Sequence, residues 1–286
     1  MSRAAAQPHP QAAPAAGGPG ARGAGMGVRR FGRVNWLGLY TLTSREVRRF
    51  LGVWSQTILA PLMTAGLFLA IFTLAIGPRR GEVMGVPFVE FLAPGILMMT
   101  VIQNAFANTS SSLMAAKVQG NIVDTLMPPL SAAELTVGFI AGGIARGLLV
   151  AAAVWTVMAL TLGVGMAHPL WAFVFVVLGA AFLGGLGVIA GIYAQKFDQM
   201  AAITNFIITP LAFLSGTFYA LEGLPAAMWW LSHVNPVFYL VDGTRYGIIG
   251  VSDSSPWLGL AVASAATALV LLTTWQLFRR GTRMKA

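Results

Sequence analysis

Six stretches of roughly twenty residues each, nearly free of charge, dominate this chain. A bilayer core about 30 Å thick is crossed by about 20 helical residues. In lipid, only structures that satisfy their own backbone polar groups are tolerated. The spans expected on this basis are 53–76, 88–107, 136–163, 170–193, 200–219 and 257–278. The fold class that follows is all-α, a polytopic membrane protein with six transmembrane helices. Composition agrees, with 57% hydrophobic and 9% charged residues, where a soluble domain carries about 25% charge.

The net charge of +9 raises nucleic acid as a partner, but the positions of the basic residues answer it. With the N-terminus cytoplasmic, the basic residues of the tail fall on the inner side. They are joined there by Arg33, Arg45, Arg48, Arg49, Lys117, Lys196, Arg279, Arg280, Arg283 and Lys285. The other side holds Arg79, Arg80 and Arg245. This asymmetry places both termini in the cytoplasm, makes membrane lipids the surroundings and leaves no call for nucleic acid.

Residues 1–30 are Ala, Pro, Gly and Arg with few large apolar side chains, which predicts a disordered cytoplasmic tail. The tail lacks the apolar core of a signal peptide. Residues 31–286 then form the membrane domain. Residues 36–50 place Trp36, Leu39, Tyr40, Val47 and Phe50 at helical spacing, with Arg45, Arg48 and Arg49 near the end. This is an interfacial helix. Between spans two and three, Val118, Ile122 and Leu126 stand four apart among Lys117, Gln119, Asn121, Asp124 and Thr125. They predict a short amphipathic cytoplasmic helix stopped by Pro128-Pro129. The connection 220–256 is too long for a structureless loop and predicts short helices dipping into the outer leaflet. Trp229, Trp230 and Trp257 belong to an aromatic belt.

Catalytic apparatus is sparse. There is no cysteine, and the histidines His9, His168 and His233 lie far apart, so no metal site is expected. A phosphate-cradling loop needs Lys preceded by Gly. Lys117, Lys196 and Lys285 follow Ala116, Gln195 and Met284. The Gly-x-Ser-x-Gly and His-Glu-x-x-His patterns are absent as well, so no catalytic or cofactor-binding residue is assigned. An ion-coupled secondary transporter would want carboxylates within its spans, and Glu90 near a span end is the nearest to one. An intramembrane transferase would have to draw on His233, Glu222 and Asp242.

Arg146 is the full charge well inside a span, at a cost of about 2.5–3.5 kcal/mol at a helix centre. It should face protein or water, as the wall of a polar pathway, as the partner of an acidic head group, or bonded to carbonyls or to Gln103 or Asn104. Asn104, Asn108 and Ser110–Ser112 fit either a helix end entering water or a conduit lining. Asn205 carries the same ambiguity. Gly138/Gly142 and Gly143/Gly147 permit close helix approach and suit packing within the chain.

Several stretches then resemble a known family. They are Thr209-Pro-Leu-Ala-Phe-Leu-Ser-Gly-Thr-Phe-Tyr219, Leu224-Pro225, Leu231-Ser-His-Val-Asn-Pro-Val-Phe-Tyr239 and Asp242-Gly-Thr-Arg-Tyr-Gly247. With Phe91-Leu-Ala-Pro-Gly-Ile-Leu-Met-Met99, Asn121-Ile-Val-Asp124, Pro128-Pro129 and Gly143-Ile-Ala-Arg-Gly147, the chain resembles type-2 ABC export permeases of the YadH-like and NodJ-like branch. The likeness runs over about residues 35–281. Where the family often has Pro before the Leu-Pro turn, this chain has Ala220-Leu-Glu222.

The resemblance implies a permease of the bacterial inner membrane, working as a dimer of two copies with a separate ATPase subunit that holds the ATP and Mg. It implies an elbow helix at 36–50 and a coupling helix at 117–126 that meet the ATPase, with Arg45, Glu46, Lys117, Gln119, Asn121 and Asp124 as contact residues. It implies an outer gate in 218–246, with Phe218, Tyr219, Glu222, Asn235, Pro236, Tyr239, Asp242 and Arg245. The interior polar residues Arg146, Gln103, Asn104, Asn108 and Asn205 are candidates for a pathway. The cargo expected is amphiphilic (a drug, a lipid-linked molecule or a glycolipid), because few charges are available to pair with a highly charged one.

Overall fold

A computed structural model describes residues 34–75, 77, 81–221 and 225–282. The tail expected to be disordered lies outside these residues, as does Glu222. Helix α1, Trp36–Leu51, buries Leu42, Glu46 and Phe50 on one stripe and exposes Trp36 and Tyr40. Asn35 caps it, its Oδ1 accepting from the Gly38 N–H at 2.9 Å. Helix α2, Ser55–Ala75, opens with a π turn at Ser55–Leu59 and is mostly exposed. A small hairpin pairs Glu82–Val83 with Val86–Pro87. Then come α3, Phe88–Val118; α4, Ile122–Leu126; α5, Ala132–Leu162; and α6, Pro169–Tyr193. Helix α7, Phe197–Ile203, runs through a π turn at Thr204–Ile208 into α8, Thr209–Phe213. Helices α9, Ala226–Val234, α10, Pro236–Ile249, and α11, Pro256–Arg280, complete the chain.

Helix α3 is the centre, and α6 lies along it. Small residues set the distance between them. A Cβ on Gly187 would sit 2.6 Å from the Phe106 carbonyl oxygen, and one on Gly191 would sit 2.9 Å from Leu113 Cβ. Thr109 Oγ1 donates to the Gly184 carbonyl at 2.7 Å across the same seam. Between apolar helices in lipid, close packing and such bonds replace the hydrophobic drive. The two ends of the bundle differ. One, the basic end, joins α1, the C-termini of α3, α6 and α11, and the N-terminus of α5. Phe139 and Phe278 stack there at 5.9 Å. The other, the hairpin end, joins the hairpin, α9, α10 and the N-terminus of α6, with His168 stacked on Tyr246 at 4.5 Å.

Among the described residues five helices are long and apolar enough to cross a membrane: Ser55–Ala75, α3, α5, α6 and α11. The expected fifth span, 200–219, is shifted and shortened. The helical run covers 197–213, about 25 Å at 1.5 Å per residue. Pro210 has no N–H and its ring meets the carbonyl four residues back, and the π turn just before it widens the backbone there. Gly216, at φ +72°, then turns the chain away.

Two other expectations are corrected. The second span does not stop at 107 but continues as one helix to Val118. Asn108, Thr109, Ser110 and Ser112 are therefore buried against neighbours instead of entering water. The single amphipathic helix expected over 117–126 is broken by Gly120, which adopts φ +72°. Lys117 closes α3, and only Ile122–Leu126 is helical beyond the turn.

Both Gly-x-x-x-Gly pairs pack within the chain. Gly138 and Gly142 form a groove on α5 that receives Leu42 and Glu46 of α1, while Gly143 and Gly147 face α3 and α6. A Cβ on Gly142 would lie 2.6 Å from Glu46 Cβ. The variant Gly142→Ala should therefore lose about 1–3 kcal/mol, read by SDS titration. Gly66→Ala, with open space around it, should gain up to about 1 kcal/mol.

Candidate functional site

The polar residues gather in two clusters, one at each end. At the basic end Glu46 is fully buried, 0% exposed. Its Oε1 accepts from Ser112 Oγ at 2.8 Å and Arg45 Nη2 at 3.2 Å. Its Oε2 accepts from Arg49 Nη2 at 3.2 Å. Arg49 reaches further, donating through Nη2 to the Asn108 carbonyl at 2.6 Å and to Asn108 Oδ1 at 3.0 Å, and through Nη1 to Ser111 Oγ at 3.2 Å. A buried carboxylate is stable only when paired and hydrogen-bonded in this way. The place is dictated locally, because Glu46 and Arg49 stand three apart on α1 and Gly142 leaves room for the carboxylate stem.

One turn further along α3 and α5, Arg146 Nη2 donates to Asn104 Oδ1 at 3.0 Å. Asn104 in turn donates from Nδ2 to the Thr100 carbonyl at 2.9 Å. Arg146 Nε and Asn108 Nδ2 are buried without a hydrogen-bond partner. Gln103 is half-buried, and Asn205 is exposed on the π turn away from this group. Of the residues expected to contact an ATPase, Arg45, Gln119, Asn121 and Asp124 are exposed. Glu46 instead points inward. Lys117 Nζ donates to the carbonyls of Ile192 and Ala194, 3.2 Å to the latter, and so caps the C-terminus of α6, where a cation suits the helix dipole.

At the hairpin end, the expected gate charges Asp242 and Arg245 are buried, so they do not line a wet opening. Arg245 Nη1 donates to Asp253 Oδ2 at 3.0 Å, and Nη2 donates to the Gly216 carbonyl at 2.6 Å. The guanidinium carbon lies 4.1 Å from the centre of the Phe91 ring. Asp242 Oδ1 accepts from the Asp253 N–H at 2.7 Å, and Oδ2 accepts from the Ser254 N–H at 2.9 Å and Oγ at 2.8 Å. The cluster thus locks α3, the turn after α8, α10 and the loop after α10 together. The physical cause is the loop after α10, which folds back over the helix and supplies the second carboxylate.

The other expected gate residues stand around this lock. Asn235 caps α10 through Oδ1, which accepts from the Val237 N–H at 2.9 Å, and donates from Nδ2 to the Leu211 carbonyl at 3.0 Å. Pro236 begins α10. Phe218 stacks with Phe72 at 5.1 Å, and Tyr239 is buried beside Phe238. Tyr219 OH and Ser232 Oγ lie 3.3 Å apart.

Sequence reasoning passed over Arg49 and Asp253 as site residues. The i,i+3 spacing from Glu46 was a signal for the first. The second lies in an irregular loop, where spacing carries no register. Among the described residues no group of three or more His, Asp or Glu side chains could hold a metal.

A bundle of long apolar helices with one basic end is the architecture of a polytopic membrane protein. The chain belongs to the ABC-2 type transporter family, whose model matches residues 38–249. It is 36% identical over 253 residues to the inner membrane transport permease YadH of Escherichia coli strain K12, covering 88% of this chain and 98% of that protein. It is 26% identical over 269 residues to nodulation protein J of Rhizobium leguminosarum bv. viciae, covering 89% and 98% respectively.

Arg245→Met should destabilise the protein by about 3–5 kcal/mol, because it leaves two buried carboxylates without their cation. Combining it with Asp253→Asn should recover part of the loss in a double-mutant cycle, read by SDS titration.

Proposed function

We propose that this chain is the membrane-spanning subunit of an ATP-driven exporter whose ATPase is a separate subunit holding ATP and Mg. The basic end faces the cytoplasm, since Arg45, Arg48, Arg279 and Arg280 are exposed there, which puts both termini inside a bacterial inner membrane. The observation that carries the reading is how the exposed loop around α4 is anchored. Val118, Val123 and Met127 present apolar surface at that loop. Lys117 ties its start to the end of α6. Asn35 Nδ2 ties its end to α1 by donating to the Pro129 carbonyl at 3.2 Å. Glu134 closes the joint, accepting from the Asn35 N–H and, in a capping box, from the Ser131 N–H.

A push on α4 is therefore delivered to α1, α3, α5 and α6 at once. Mobile side chains would absorb it, whereas capped helix ends pass it on. The contact residues for the ATPase are Arg45, Gln119, Asn121, Asp124 and the apolar tip. Glu46 and Lys117 act from behind, as bracing. Two copies of the chain meet through the faces of α2 and α7–α8, where Met63, Leu67, Leu74, Phe206 and Ile207 are exposed, and an amphiphilic cargo passes outward between them. Phe218, Tyr219 and Tyr239 sit at the far mouth, held by the buried Arg245 lock.

The test is co-purification of the full chain with its candidate ATPase. Val123→Glu and Met127→Glu should each reduce recovered ATPase at least about ten-fold, since burying an unpaired carboxylate in an interface costs more than 1.4 kcal/mol. Neither should shift the unfolding midpoint of the permease alone. Wild-type protein that retains no ATPase would end the proposal.

A further inference from the structure

Arg146 is a cation deep in a span with one hydrogen bond, to a neutral amide. Among the described residues no carboxylate lies within 4.0 Å of it. The nearest anion along the seam, Glu46, is already engaged by Arg45 and Arg49. A second copy of this chain cannot supply the missing charge at that depth, because the other described carboxylates lie at the ends of the bundle. Two donors of this seam, Arg146's own Nε and Asn108 Nδ2 near Gly142, have no acceptor. The arrangement has an excess of cations and an excess of donors, the complement of an oxyanion.

The rest of the same helix face defines what carries that oxyanion. Leu149, Ala153, Val157 and Leu160 follow Arg146 at helical spacing toward the hairpin end. The first two are half-buried and the last two exposed. In the other direction the face is covered by α1, with Glu46 in the Gly142 groove. An ion with its own water shell would gain nothing from the apolar stripe. An amphiphile gains from both, its head under Arg49 and Arg146 and its chain along the stripe. Resting on the transporter reading above, we propose that the seam of α1, α3 and α5 binds the phosphate-bearing head group of an amphiphile. Arg146 is its principal cation and Asn108 a neutral donor, while Arg49, whose donors already serve Glu46, Asn108 and Ser111, adds its charge. A guanidinium suits this head group because its planar fork matches phosphate oxygens.

The test uses the purified full chain in uncharged detergent, with the unfolding midpoint read by tryptophan fluorescence. The probes are dioctanoylphosphatidylglycerol, dioctanoylglycerol and inorganic phosphate. A ligand that binds the folded state raises the midpoint as its concentration rises. The phosphatidylglycerol should raise it, and the other two should not. Arg146→Gln should unfold no earlier than wild type without lipid, and should need about ten- to a hundred-fold more phosphatidylglycerol for the same shift, the loss of a charge-assisted hydrogen bond. Arg146→Lys keeps the charge without the fork and should fall between. Arg280→Gln, at the exposed end of α11, should match wild type.

Several outcomes overturn the proposal. An undiminished lipid shift in both Arg146 variants removes the site. Equal shifts from dioctanoylglycerol remove the oxyanion. Equal shifts from inorganic phosphate make it a site for free anions from solution. No ATPase takes part in this measurement, so it fails or succeeds independently of the co-purification above.

Discussion

The most extensive helix pairing among the described residues is between α3 and α6, and the other helices are arranged around it. Gly187 and Gly191 let α6 lie on the carbonyl side of α3, and Thr109 bonds across the contact to Gly184. In water, a core of large side chains would hold two helices together through the hydrophobic effect. In lipid that effect gives no preference for a helix over a lipid tail, so atoms must meet at short range. With the axis pair fixed, α3 can bury Asn108, Thr109, Ser110 and Ser112, since their partners lie within reach on α1 and α6. The basic end acquires its polar cluster as a consequence of this packing.

The spans were legible because length and apolarity are properties of composition over a window, and the bilayer acts on that window as a whole. The glycine pairs on α5 were legible for a similar reason, since residues four apart share a face. What escaped depends on contacts between distant segments. Nothing local to Glu46 distinguishes an outward carboxylate from one buried in a groove formed by Gly138 and Gly142. The extension of α3 to Val118 was hidden because its last turns are polar, and polarity in a helix end reads as solvent until a neighbour is known to cover it. Asp242 and Arg245 were each singled out as gate residues, but their burial follows from Asp253, which a loop brings back over α10. Gly120 was a readable break between two amphipathic turns, and the four-residue spacing of Val118, Ile122 and Leu126 concealed it.

The two polar clusters serve contrasting purposes. Around Arg245 two carboxylates, a carbonyl and an aromatic face surround one guanidinium, whose Nε alone lacks a partner, and the segments they join are held in one arrangement. Around Arg146 the balance is reversed, with cations and donors exceeding acceptors. A closed cluster stabilises a shape, while an open one stabilises whatever completes it. Both depend on a long side chain being held by helices that pack tightly enough to keep it from reorienting.

The groove that receives α1 has a consequence for how the protein is made. Asn35 and its partner Glu134 are separated by 99 positions, and the glycines that accept Leu42 and Glu46 lie on the same late helix. When α1 leaves the ribosome its berth has not been synthesised. The amphipathic helix must wait at the membrane surface with its carboxylate still hydrated while three apolar segments are delivered. Only then can it dock, so the first helix is seated no earlier than the delivery of α5.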